Sequence, residues 1–72
     1  MLFLKVFEVL KVKFQHYKGG IYEIVTYAIH TETQEKLVIY SDESNNTYAR
    51  PYDMFFENIV YNGKEIPRFK KI

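Results

Sequence analysis

Two histidines bracket one apolar run, "HYKGGIYEIVTYAIHTET", residues 16–33. Imidazole titrates near neutrality, so His16 paired with a carboxylate such as Glu23 could move protons, and His16, His30 and Glu32 together could ligate a metal. On an extended strand His16 and Lys18 share a face, which sets a titratable ring beside an ammonium group. Arg50 precedes Pro51, which holds it in extended geometry, and its planar guanidinium offers a rigid fork to a carboxylate or a phosphate. Arg68, in "IPRF", reads the same way. The tyrosines at 17, 22, 27, 40, 48, 52 and 61 add ring faces on which planar groups can stack.

Each feature also has a plainer role. His30 can cap its turn through Thr31 or Glu32, and Arg50 can close an internal salt bridge to Asp53 or Glu32. Most of the tyrosines are needed for a core. The histidine spacing lacks the short separations usual for metal ligands, so neither a metal nor a cofactor is expected. There is no cysteine nucleophile, no Gly-x-Ser-x-Gly elbow and no glycine-rich phosphate loop. Catalysis is therefore the least favoured reading.

The elements that position these residues follow from apolar alternation and turn chemistry. Val12 to Tyr17 and Ile21 to His30 read as strands folded back about Gly19-Gly20, which sets His16 near Glu23 and His30 at the far end. In the second strand Tyr22, Ile24, Thr26, Ala28 and His30 share one face, with Ile21, Val25, Tyr27 and Ile29 on the other. Residues 31–36 form a polar turn, and Leu37 to Tyr40 return as a strand. A reversal about Asn45-Asn46 leads to a short strand from Thr47 to Arg50. Pro51 fits the first position of a helical turn, near residues 51–57, that points Met54 and Phe55 inward. Asn62-Gly63 is the preferred pair for a type I′ turn, which sets Tyr61 opposite Lys64, Val60 opposite Glu65 and Ile59 opposite Ile66. Pro67 ends that pairing or marks a sheet edge. Short strands between turn signals, with one helical turn before a closing hairpin, predict a small β-barrel.

Length and composition narrow the field. Seventy-two residues allow one domain, at a size where a core supplies only about 3–5 kcal/mol net. Without cysteine no disulfide or thiolate zinc site can staple it, and 7 Tyr and 6 Phe must supply the buried area instead. A net charge of +1 gives no global case for nucleic acid, but the lysines and arginines gather at the two chain ends. Ends lying side by side would make one basic face opposite the acidic loop edge of residues 31–53. The opening "MLFLKVFEVLKVKF" has no basic leader or cleavage site, and no run approaches the ~18 apolar residues of a membrane span. A cytoplasmic chain without membrane contact is expected. Residues 1–11 fit a strand by parity and a helix by spacing, and strand is the reading adopted.

The blocks His16-Tyr17-Lys18-Gly19, Tyr22, His30-Thr31-Glu32, Leu37-Val38 with Tyr40, Arg50-Pro51, Met54-Phe55 and Pro67-Arg68-Phe69 resemble, in order, the bacterial and phage family of uncharacterised proteins called DUF1653. The resemblance runs from about Phe14 to Phe69. It departs at Lys13, near an expected glycine, and at Tyr48, where tryptophan is expected. It implies an all-β fold: an SH3-like barrel of about five to six short antiparallel strands with one helical turn over 51–57, and no agreed function. The organisation expected is a single domain over 1–72, with a barrel over 12–69 and residues 1–11 as an added strand suited to self-association.

The leading expectation is a non-catalytic binding module that offers an aromatic and basic face to an anionic ligand, a nucleotide or single-stranded nucleic acid. The ligand-binding candidates are His16, Lys18, Tyr22, His30, Arg50 and Arg68. A second reading is a protein-interaction module that pairs residues 1–11 or a sheet edge with a partner chain or a second copy. A third is a small enzyme using His16 and His30.

Overall fold

The computed structural model describes residues 12–72. The strand expected over residues 1–11, and the self-association assigned to it, lie outside the described residues. Among the described residues seven strands and one short helix follow in chain order: β1 (Lys13–His16), β2 (Ile21–Ile29), β3 (Lys36–Asp42), β4 (Thr47–Pro51), α1 (Tyr52–Phe55), β5 (Asn58–Tyr61), β6 (Lys64–Pro67) and β7 (Phe69–Lys71). Five of the strands form one antiparallel sheet in the order β4-β3-β2-β1-β7, and β5 and β6 form a separate two-stranded ribbon. The all-β class, the antiparallel pairing and the helical turn are as the sequence implies. The closed barrel is not: among the described residues β4 and β7 stand at the two sheet edges, and β5 and β6 pair only with each other.

The β1–β2 register is set by the turn. The Gly19 N–H donates to the His16 carbonyl at 2.8 Å, and the His16 N–H donates to the Gly20 carbonyl at 3.0 Å. This leaves Tyr17-Lys18-Gly19 as the loop, with Gly19 at φ 123°, a backbone angle only glycine adopts without strain. Lys13 therefore faces Glu23, Phe14 faces Tyr22 and Gln15 faces Ile21. The expected pairing of His16 with Glu23 is corrected: with the turn centred on Lys18 rather than on Gly19-Gly20, His16 meets Gly20 instead.

A second correction concerns the faces of β2. The β2–β3 register shifts between Ile24 and Thr26, so Val25 is an extra residue, a β-bulge. Paired residues point to the same side of a sheet, and the pairs run Ile24 with Tyr40, then Thr26 with Ile39 and Tyr27 with Val38. The bulge thus swaps parity. Tyr22 and Ile24 share the core side with Tyr27, whereas Thr26 and Ala28 lie on the other.

The core is small and aromatic. Phe14, Val38, Tyr40, Phe55 and Phe69 are buried, with Val12, Tyr22, Ile24 and Tyr52 packed against them. Phe55 from α1 is fully buried and stacks on Phe69 with ring centroids 4.1 Å apart, while Phe14 and Tyr40 meet Phe55 edge-on at 5.5 and 5.2 Å. Met54 is corrected outward at 42% exposed, because a four-residue helix has one inward position and Phe55 takes it. Pro51 is also one place earlier than expected: it caps α1 in extended geometry, ψ 137°, and the helix begins at Tyr52. The ribbon keeps the expected register, with Ile59 facing Ile66 and Tyr61 facing Lys64 about Asn62-Gly63, both at positive φ. β1 pairs antiparallel with β7, Phe14 facing Lys71 and His16 facing Phe69, so the two described ends lie side by side.

A candidate anion-binding cluster at the β1–β7 seam

His16 sits where three elements meet. Its place at the end of β1, opposite Phe69 of β7, brings its ring 4.9 Å from Phe69, 4.6 Å from Tyr17 and 6.4 Å from Tyr22. Its Nδ1 accepts the Lys18 N–H at 3.2 Å, so the ring closes the β1–β2 turn. Burial pushes its pKa below the ordinary imidazole value, and the positive charges of Arg50, Arg68 and Lys18 lower it further. A histidine that feels three cations at once marks the positive centre of this surface.

Arg50 arrives from the opposite edge of the sheet. Val38 is its β3 partner and is fully buried, which turns the arginine toward the core face. Its Nε donates to the Tyr40 hydroxyl at 3.2 Å, and its guanidinium carbon lies 5.6 Å from the centre of the Phe69 ring. These two contacts hold the fork over the Phe69 ring. Neither Asp53 nor Glu32 pairs with it: the one ion pair among the described residues is Arg68 to Glu57, at 2.7 Å. Arg68 is fixed further by its backbone, which donates to the Glu57 carbonyl at 3.0 Å and accepts the Tyr17 N–H at 3.0 Å. Arg68 Nε is buried with no partner among the described residues.

His16, Lys18, Tyr22, Arg50 and Arg68 are thus brought into one neighbourhood, and His30 is not. His30 lies past the far end of β2, roughly 30 Å away at about 3.3 Å per strand residue. There its Nδ1 accepts the N–H groups of Glu32 at 3.2 Å and Thr33 at 3.4 Å, which makes it a turn cap. Among the described residues no group of His, Cys, Asp and Glu is arranged to hold a metal.

Three residues of the cluster are not among the binding candidates that the sequence suggests. Tyr40 anchors Arg50, Phe69 is the platform beneath it, and Lys70 lines a hollow of about 400 Å³ beside His16, Tyr17 and Pro67. Lys70 was legible only as part of a basic tail. Nothing in the sequence indicates that β7 pairs with β1. A second hollow, about 290 Å³, is lined by Glu23, Asp42 and Glu43 with Lys13 and is electrostatically unsuited to an anion. Asp42 is moreover occupied: it accepts from the Tyr48 hydroxyl at 2.8 Å and from the N–H groups of Ser44 and Asn46, both at 2.9 Å. The Tyr48 hydrogen bond is the main cause holding its carboxyl below the usual range.

A family model described as a protein of unknown function, DUF1653, matches residues 12–71. The chain belongs to the DUF1653 family. The crystal structure of a DUF1653 protein from Bordetella bronchiseptica superposes with a TM-score of 0.76 at 24% identity, over 86% of this chain and 85% of that one. At that identity the likeness speaks to the fold alone, and it supports the DUF1653 arrangement of sheet and ribbon. No curated protein matches the sequence. Among the described residues no helix is long and apolar enough to cross a membrane.

Proposed function

We propose that this DUF1653 chain is a non-catalytic binding module that holds an anionic ligand, a nucleotide or a single strand of nucleic acid, at the β1–β7 seam. The observation that carries this reading is Arg50. A guanidinium oriented by a tyrosine hydroxyl and an aromatic ring, yet paired with no carboxylate among the described residues, keeps its terminal N–H donors available for an oxyanion. The buried Arg68 Nε supports the same reading. An unmet buried donor costs about 1–3 kcal/mol, and an anion oxygen would recover that. The tyrosine and phenylalanine faces beside these cations suit a base or ribose. Against catalysis stands the lack of a carboxylate partner for His16 among the described residues, its Nδ1 being already occupied by the Lys18 N–H. Within this reading the module works in the cytoplasm, where such ligands are abundant.

The test is an amide chemical-shift titration of the labelled full chain against nucleoside phosphates and short single-stranded oligonucleotides, at about 20 and 300 mM salt. Saturable shifts at His16, Lys18, Arg50 and Arg68 are expected, with affinity falling steeply as salt rises. Arg50→Ala should weaken binding about tenfold or more, the weight of a lost charged hydrogen-bonding partner. A silent panel, or binding that Arg50→Ala leaves intact, would refute the assignment.

A further inference from the structure

An apolar groove of about 510 Å³ lies on a different part of the surface from the cluster. Val12, Phe14, Ile24, Val25, Tyr27 and Phe56 line it, with Thr26 and Lys71 at its margin. None of the anion-binding candidates contributes to it. Its apolar walls are open to solvent: Val25 is 59% exposed, Tyr27 48% and Phe56 41%, and Ile29 on the same strand is 56% exposed. The bulge creates this situation. By adding Val25 to β2 it brings Tyr27 round to the core side beyond the reach of β1, so among the described residues no further strand covers it.

We propose that this groove is the docking site of the chain's own first eleven residues. Two observations select that occupant over others. The first is covalent: residue 11 is bonded to Val12, and Val12 lines the groove, so the segment is tethered at the groove without any linker. Such a tether raises the effective concentration to the millimolar range, well above that of a separate partner. The second is chemical. Met1, Leu2, Phe3, Leu4, Val6, Phe7, Val9 and Leu10 are apolar, interrupted by Lys5, Glu8 and Lys11, which matches an apolar groove far better than it matches water. The reach suffices too: eleven residues span up to about 36 Å when extended and about 16 Å as a helix. This inference does not depend on the anion-binding reading.

The experiment is methyl-resolved NMR on the full chain, with labelled Ile, Leu and Val and a dilution series followed by light scattering. Cross-peaks from Leu4, Val6 and Leu10 methyls to those of Ile24 and Val25 are expected in a monomer, unchanged on dilution. A full-chain Leu4→Asp/Phe7→Asp double variant should lose these cross-peaks and shift Val25, Tyr27 and Phe56, while the Asn62-Gly63 ribbon signals stay in place. Val25→Asp, on the groove side, should abolish the same cross-peaks. Their absence from the parent chain would overturn the proposal. So would cross-peaks seen only between differently labelled copies, since the occupant would then be a second chain.

Discussion

At the residue scale the cluster turns on groups whose roles are set by neighbours. His16 is the most testable. Its native pKa lies below the ordinary 6.5, chiefly through burial and then through Arg50, Arg68 and Lys18. An unfolded chain therefore binds a proton below about pH 6.5 that the folded chain resists, and stability falls as pH drops through that range. Above it both states hold the neutral ring, and the effect vanishes. Urea midpoints measured at pH 7 and pH 5 should differ, with a smaller difference in His16→Gln. An equal fall in the variant would move the cause away from His16. The residue types of this cluster were legible in the sequence, since His16, Lys18, Tyr22, Arg50 and Arg68 all stand there as candidates for one face. What was not legible was the fate of each side chain. Arg50 had Asp53 and Glu32 within reach along the chain, and only the fold shows that its Nε goes to Tyr40 while Glu57 goes to Arg68. Arginines with several nearby carboxylates pair according to tertiary distance, which spacing does not encode.

At the element scale, legibility depended on whether a turn admits one geometry or several. Asn62-Gly63 admits one. Both residues sit at positive φ, 53° and 76°, and the whole ribbon register follows from them. Gly63→Val should destabilise by more than about 1 kcal/mol, because a β-branched residue resists that angle even though open space surrounds the position. Thermal or urea unfolding measures it; an unchanged transition would mean that the ribbon turn is not of this type. Gly19-Gly20 offers the contrasting case. Either glycine could take the positive φ, and the choice of Gly19 moves β1 along β2, exchanging His16 for Lys13 as the partner of Glu23. A side chain at Gly20 would meet the Tyr22 ring at 2.9 Å, so the second glycine is needed for close packing rather than for its backbone angle. The bulge at Val25 had no signal at all. Valine is an ordinary strand residue, and the shift is visible only in the pairing with β3.

At the scale of the whole molecule, sheet, helix and seam among the described residues all depend on the same aromatic cluster. The strands were readable as local patterns, but the pairing of β1 with β7 joins residues more than fifty positions apart, and no turn chemistry announces it. That pairing closes the core, since it brings Phe69 over Phe55, and it also makes the candidate site by placing His16 and Arg68 beside the Arg50 platform. Stability and the geometry of the proposed site are thus coupled through the same ring. Phe55→Ala removes the side chain stacked on Phe69 and should cost about 3–5 kcal/mol, comparable to the whole net stability expected of a domain this size. Circular dichroism should show loss of a cooperative transition, with anion binding lost alongside it. A variant that still melts cooperatively but no longer binds would separate the two roles and show that Phe69 needs its neighbour for the site more than for the fold. A variant that keeps both would show that Phe55 does not carry the core.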